Sequence, residues 1–202
     1  MSPAWVATAS TVALLAAYEA IAVLRQRRQP ERFARSAHAS MREQWFDAVS
    51  DQKGSEILAV QTLRNSLMSA TMLASTSALA LMGTMTLSIP SLRPAPEEVT
   101  PRLVLELVLI ALLFGSLVST VLAVRYYNHA SFVGGFPVGT QGRERWRQTG
   151  RAYVRRAGVL YSIGLRHLVL VVPVLAGLLA PFAGPVAALV VVSALVATDR
   201  IG

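Results

Sequence analysis

Apolar residues gather in long continuous blocks along this chain and do not alternate with polar ones. Three blocks of about 20 residues stand out, at 4–24, 66–89 and 103–124. A helix needs about 20 mostly apolar residues to cross ~30 Å of hydrocarbon. Each block therefore predicts a transmembrane helix.

The last apolar block, from Leu168 to Ala197, is less regular. Four residues interrupt it: Pro173, Pro181, Gly184 and Pro185. In one interpretation a fourth span covers 159–180, and a short helix over 185–198 turns back as a fifth or re-entrant segment. In the other, one long kinked helix crosses once. The break at 181–185 suits either interpretation, and we favour the hairpin.

Composition agrees with a membrane protein. Hydrophobic residues make up 53% of the chain and charged residues 15%, with a mean hydropathy of +0.49. Soluble chains carry about 25% charged residues. These values exclude a disordered protein and disfavour a soluble enzyme. The absence of cysteine excludes disulfides, thiolate metal sites and cysteine nucleophiles.

Basic residues are concentrated in two connections between the apolar blocks. The formal net charge is +8, and all 19 basic residues except Lys53 are arginine. Most lie at 25–53 and 125–156. The connection between the second and third blocks contains only two basic residues, Arg93 and Arg102. The positive-inside rule places both basic connections in the cytoplasm and the N-terminus outside.

Both basic connections have helical apolar spacing. In the segment 30–53, apolar residues recur every three or four positions: Phe33, Ala37, Met41, Trp45 and Ala48. In 141–157, Trp146, Gly150, Tyr153 and Ala157 lie beside a row of arginines. The pattern predicts amphipathic cytoplasmic helices with Trp45, Trp146 and Tyr153 at the headgroup boundary and anionic lipids as partners. Docking of another protein is the alternative. Nucleic acid is disfavoured, because no recognition motif accompanies the charge.

Four charged residues fall near the predicted cytoplasmic ends of four different helices: Glu19, Arg64, Arg125 and Arg166. Asn65, His129 and His167 are expected at comparable depth. Ionisable groups in a span usually face a partner or a watery cavity, and three arginines against one glutamate leave positive charge for an anionic ligand. The alternative is a structural cluster of ion pairs and headgroup contacts, which topology alone also produces. Glu106 is explained by a local pair with Arg102, four residues earlier.

Small residues in the second block repeat every fourth position: Ser66, Ala70, Ala74 and Ala78. Gly115 and Ser119 offer a counterpart in the third block. Such faces let helices approach closely, within one subunit or between subunits. A polar pore lined by the hydroxyl face around Thr71 and Ser75 is the alternative.

Signatures of enzyme chemistry are missing from the sequence. His38, His129 and His167 are far apart and form no zinc signature. No serine, histidine and acid can be ordered into a triad, and the methionines are interpreted as packing residues. We therefore predict no cofactor, no metal site and no enzymatic activity.

The chain resembles a family of small multi-pass bacterial inner-membrane proteins, catalogued as a domain of unknown function. The similar stretches are Met41–Trp45, Gln61–Gly83 and Tyr161–Arg166. This sequence departs from the family at Asp51 and Gln52, and at Pro173 and Pro181. The resemblance implies a small bacterial inner-membrane protein and supplies no activity.

The sequence thus predicts one all-α integral membrane domain over residues 1–202. It has four transmembrane helices, a short C-terminal helix and amphipathic cytoplasmic helices. We expect a homo-oligomeric channel or transporter for a small solute, an anion being one option, with Arg64, Arg125 and Arg166 at a cytoplasmic vestibule. The alternative is an accessory subunit that docks a partner complex or organises anionic lipid.

Overall fold

The computed structural model describes residues 2–28, 34–92 and 99–199, and every regular element in these ranges is a helix. The helices are α1 Pro3–Arg28, α2 Ala34–Asp51, α3 Glu56–Leu92, α4 Pro101–Gly135, α5 Gln141–Leu179 and α6 Ala183–Thr198. The helices α1, α3, α4 and α5 are each long and apolar enough to cross a membrane. The prediction of an all-α membrane protein with four spans is confirmed.

Three of the spanning helices are much longer than their apolar blocks. The helices α3, α4 and α5 contain 37, 35 and 39 residues. At 1.5 Å per residue each exceeds about 50 Å, well beyond the ~30 Å of a hydrocarbon core. The extra length lies where α3 begins, α4 ends and α5 begins. We call this the basic end of the bundle, because 141–156 lie there.

The segment 141–157, predicted as a separate amphipathic helix, is the first half of α5. The helix continues without a break through Gly158, which lies against the side chain of Arg42. The turn before α5 contains Gly139 at φ +87°, a conformation that favours glycine. Thr140 then caps α5 by accepting a hydrogen bond from the Arg143 backbone N–H.

Two hydrophobic cores hold the helices together. One joins α1, α4, α5 and α6 through residues such as Leu15, Leu109 and Leu170. The other joins α2, α3, α4 and α5 at the basic end through residues such as Phe46, Leu63, Val133 and Val154. Gly134 contacts Leu63 while Ser116 bonds Ser77, so α4 runs antiparallel to α3. Val133 lies against Gly150 while Ser116 bonds Gly164, so α4 runs antiparallel to α5 as well.

The hairpin interpretation of the last apolar block agrees with the structure. The helix α5 continues through Pro173 and ends at Leu179, and α6 begins at Ala183. A Cβ added to Gly184 would lie 3.1 Å from the Cα of Gly177, which shows how closely the two helices meet. With 16 residues, α6 extends for about 24 Å and returns part of the way along α5.

The helix α2 falls within the predicted segment 30–53, although residues 29–33, including Phe33, lie outside the described residues. Its buried face is not the predicted stripe. Phe46 is completely buried against α5 and Ala39 is 1% exposed, whereas Met41 is 58% exposed. The buried face of α2 differs from the predicted stripe because α2 contacts α5 through acidic side chains as well as apolar ones.

Close contact between α4 and α5 yields a stability prediction. A Cβ at Gly164 would lie 2.5 Å from Thr120 Cγ2 and 3.1 Å from the backbone oxygen of Ser116. We expect Gly164→Ala to lower the free energy of unfolding by about 1–3 kcal/mol, because the packed helices must separate. Thermal unfolding in detergent measures the change.

Gly135→Ala is the matched control, since its Cβ would lie at an ordinary 3.6 Å from Val60 Cγ2. An unfolding temperature equal for the two variants would contradict the close α4–α5 contact.

Candidate functional site

A buried ion pair joins α5 to the end of α6. Arg166 donates a hydrogen bond through Nη2 to Asp199 Oδ1 and another through Nη1 to Tyr18 Oη, 3.3 Å away. The Tyr18 hydroxyl in turn donates to Asp199 Oδ2 at 3.2 Å. All three residues are at most 8% exposed. The triad thus connects α1, α5 and α6, and each charge has a partner.

The triad lies deep within the apolar part of α5. Arg166 is ten residues beyond Arg156 and thirteen before the end of the helix at Leu179. Near the level of Arg166, the Ser116 hydroxyl donates a hydrogen bond of 2.8 Å to the Gly164 carbonyl. The hydroxyls of Ser116 and Ser77 are also hydrogen-bonded to each other, at 2.8 Å. A layer of polar groups therefore crosses from α3 to α6 inside the bundle.

The structure does not bring Arg64, Arg125 and Arg166 together. Arg64 follows Leu63, which contacts Gly134, and Arg166 lies near the level of Ser116. Arg125 is nine residues from each of these α4 positions, so neighbouring arginines are separated along the bundle by about 14 Å. The prediction that the three arginines lie at the same depth in the bundle is wrong, because each arginine lies at a different distance from the end of its own helix.

The remaining members of the predicted cluster are also dispersed. Arg64, Asn65 and Arg125 are exposed, and Glu19 is half-buried beside Tyr18 on α1. His167 packs against Gly115, and its Nδ1 is buried without a hydrogen-bond partner among the described residues. Asp199 was missed by sequence reasoning, because it lies 33 residues from Arg166 and only the α5–α6 hairpin joins them.

At the basic end, acids of α2 pair with arginines of α5. Arg147 contacts Asp51 through two hydrogen bonds of 2.5 and 2.7 Å, which hold the Asp51 pKa below its usual value. Arg151 lies 3.2 Å from Asp47, and Arg155 lies 3.4 Å from Glu43. Arginines that were expected to meet anionic lipid therefore bind this chain's own carboxylates.

The same two helices form an open groove of about 550 Å³. Its walls carry both signs of charge, being lined by Glu43, Asp47, Arg147, Gln148, Arg151 and Ala152. Among the described residues no group of three histidines or acids could hold a metal ion.

Arg143 is a further buried cation that sequence reasoning missed. It is completely buried and donates to the carbonyls of Val133, at 2.5 Å, and Val49, at 3.2 Å. Its guanidinium also lies 5.6 Å from the centre of the Phe46 ring. Because its acceptors are backbone carbonyls near the ends of α4 and α2, no residue type in the sequence signals this contact.

The three aromatic residues predicted at the headgroup boundary have surroundings that differ from one another. Trp45 packs beside Phe46 with 6.5 Å between ring centroids, and Trp146 is 43% exposed beneath Arg145. Tyr153 lies 5.6 Å from both the Tyr126 and the His129 ring.

The predicted small-residue face of α3 turns toward α4. Ala70 and Ala74 are buried, and Ser66 and Ala78 are half-buried. Ser119 of α4 is half-buried. The His167 ring of α5 packs against Gly115, where a Cβ would lie only 2.9 Å from His167 Nδ1. The predicted local pair is present as well, with Arg102 Nε 2.9 Å from Glu106 Oε1.

The buried triad yields a second stability prediction. Arg166→Met leaves the Asp199 carboxylate buried and unpaired, so we expect the free energy of unfolding to fall by about 3–5 kcal/mol. The double variant Arg166→Met/Asp199→Leu removes both charges and should recover most of that loss. Thermal unfolding in detergent checks both variants.

Arg64→Met is the control, because its side chain is exposed and we expect little change. Equal stability of Arg166→Met and the unaltered protein would refute the role of the pair.

Comparison with known proteins gives a family and no activity. A family model described as "Protein of unknown function, DUF599" matches residues 6–201. No curated protein and no solved structure matches the chain. Since the family model covers nearly all of the sequence, the chain belongs to the DUF599 family of proteins of unknown function.

Proposed function

We propose that the protein is one subunit of a homo-oligomeric membrane channel or transporter for a small solute, with the path running between copies along α3. The observation that carries this proposal is the exposure of α3. Only 11% of its most apolar 18-residue window is buried, compared with 39% in α5. A helix that packs on one side only leaves its other side for lipid or a second copy.

The exposed side of α3 is not uniformly apolar. Its members recur every three or four residues and form one stripe: Gln61, Arg64, Met68, Thr71, Ser75, Leu79, Met82 and Thr86, all exposed. The hydroxyls of Thr71 and Thr86 donate to carbonyls four residues earlier, at 2.9 and 3.0 Å. Their oxygens keep acceptor capacity for water or a solute.

Charge along this stripe also fits an entrance at the basic end. Arg64 and Asn65 are exposed, and Arg64 lies about two turns before Thr71, the first hydroxyl of the stripe. Arg166 is not needed there, because Asp199 and Tyr18 already bind its guanidinium. We therefore assign the positive entrance to Arg64 and assign Arg166 to the scaffold. An exposed guanidinium favours anions among small solutes.

We further place the protein in the inner membrane of a bacterium, with the N-terminus outside and the basic end in the cytoplasm. The distribution of arginines supports this orientation through the positive-inside rule. It also agrees with both basic connections lying at one end of the bundle.

A second candidate function is docking of a partner protein at the basic end. Ile57 and Leu58, which are neighbours on α3, are 72% and 58% exposed there, before the apolar block of α3 begins. Exposed apolar patches of this kind mark interaction sites. An accessory subunit would use this surface and would not need a path along α3.

Cysteine accessibility tests the path directly, because the chain contains no cysteine of its own. Ser75 lies two residues from Ser77 and Val118 two residues from Ser116, so the antiparallel Ser77–Ser116 bond places them at the same depth. We expect Ser75→Cys to react with a charged, membrane-impermeant thiol reagent many times faster than Val118→Cys, because only α3 would face water. The labelled fraction in intact vesicles is the measurement.

Val118→Cys is the matched control, being exposed on α4 at equal depth. If both cysteines stay unlabelled, no water-filled path runs along α3 and the proposal fails.

Association through α3 can be tested at Gly83. A Cβ there meets nothing within 4 Å, so Gly83→Ile should leave the single chain intact. Between two copies the larger side chain would hold the helices apart. We expect disulfide cross-linking through Met72→Cys in membranes to fall severalfold in the Gly83→Ile background.

Ala111→Ile on the exposed side of α4 lies at nearly the same depth and serves as control. Cross-linking that is insensitive to Gly83→Ile, or equally sensitive to Ala111→Ile, would count against α3 as the contact between copies.

A further inference from the structure

A cluster of aromatic and basic side chains lies between α4 and α5 on the bundle surface. The Tyr153 ring packs against the Tyr126 and His129 rings, with 5.6 Å between centroids and ring planes tilted by 36° and 37°. The guanidinium carbon of Arg156 lies 5.9 Å from the centre of the Tyr126 ring. Arg125 precedes Tyr126 and is exposed, as are His129 and Arg156.

This cluster lies at the boundary between polar and apolar surface. Arg125 directly follows the apolar block 103–124, and Arg156 directly precedes the apolar part of α5. Tyrosine is favoured at this depth in membranes, because its ring is apolar and its hydroxyl is polar.

The positive charge of the cluster is uncompensated in the described part of the chain. The acids of α2, Glu43 and Asp47, form their ion pairs with Arg147, Arg151 and Arg155. Among the described residues, the ion pairs within 4 Å include neither Arg125 nor Arg156. Two guanidinium groups at one boundary therefore stay free to bind an anion.

An exposed apolar strip continues from the cluster along α4. Phe114, Val118, Val121 and Leu122 are 58%, 41%, 49% and 37% exposed. They lie one to three helical turns from Arg125 on its own side of the helix. A ligand bound to the cluster would thus have a polar part at the arginines and space for a long apolar part beside this strip.

We propose that Arg125 and Arg156, with Tyr126, His129 and Tyr153, bind the phosphate of an anionic phospholipid whose acyl chains lie along Phe114, Val118 and Leu122. A planar guanidinium donates paired hydrogen bonds to phosphate oxygens, and the aromatic rings hold Arg156 at the boundary. Free inorganic phosphate shares the polar chemistry but makes no use of the apolar strip. This site is independent of the path along α3.

Lipid retention tests the proposal. The protein is reconstituted with equal amounts of phosphatidylglycerol and phosphatidylcholine and purified in nonionic detergent, and the lipid retained per chain is measured by mass spectrometry. We expect phosphatidylglycerol to be enriched on the unaltered protein and to fall severalfold on Arg125→Gln/Arg156→Gln. The control Lys53→Gln/Arg145→Gln removes the same charge at exposed positions of the basic end and should keep the enrichment.

Two results would overturn the site. One is equal phosphatidylglycerol on the two double variants: an equal loss would mean that net charge alone attracts the lipid, and unchanged enrichment would mean that Arg125 and Arg156 do not bind it. The other is thermal stabilisation by inorganic phosphate that matches stabilisation by phosphatidylglycerol and is lost in Arg125→Gln/Arg156→Gln, which would identify a free-anion site.

Discussion

Burial of the Arg166 charge, which Asp199 pairs, is the constraint that the arrangement of the helices has to satisfy. Charged groups in hydrocarbon are costly, and the cost is offset only when each has a partner and its remaining hydrogen-bonding groups are used. Asp199 and Tyr18 supply those partners to Arg166. Because the three residues come from α6, α1 and α5, satisfying the charge also fixes the C-terminal hairpin against the first helix.

The consequence for function is that the buried charge of Arg166 is used internally. Ser77, Ser116 and the Gly164 carbonyl likewise satisfy one another at that depth. The exposed polar groups on which both proposals rest lie on the outside of the bundle, on α3 and at the boundary between α4 and α5. An oligomer built around α3 would convert the outer surface of α3 into an inner one.

Much of the fold follows from the sequence, because span length, proline position and arginine distribution are local properties. The four spans, the break near Pro181 and the pair Arg102–Glu106 could all be predicted. The candidate site could be predicted only in part, because Arg166 stands out as a charge next to a long apolar segment whereas its partner does not. Asp199 meets Arg166 only because two helices turn back on each other, and that register depends on the close contact of Gly177 with Gly184.

The basic end shows the same limit. The amphipathic spacing of α2 predicted a helix with an apolar face, yet the buried anchor is Phe46 and the acids face α5. The burial of Arg143 could not be predicted, because its acceptors are backbone carbonyl oxygens, which every residue has. Sequence patterns reveal which helices exist, whereas partners of buried charges depend on how the helices are placed.

Native mass spectrometry of the protein, extracted gently from its own membrane, tests the central claim that copies of this chain assemble around α3. The account predicts a closed homo-oligomer without foreign chains. A monomer, or a stoichiometric complex with a different protein, would contradict it, and the complex would favour docking at the basic end.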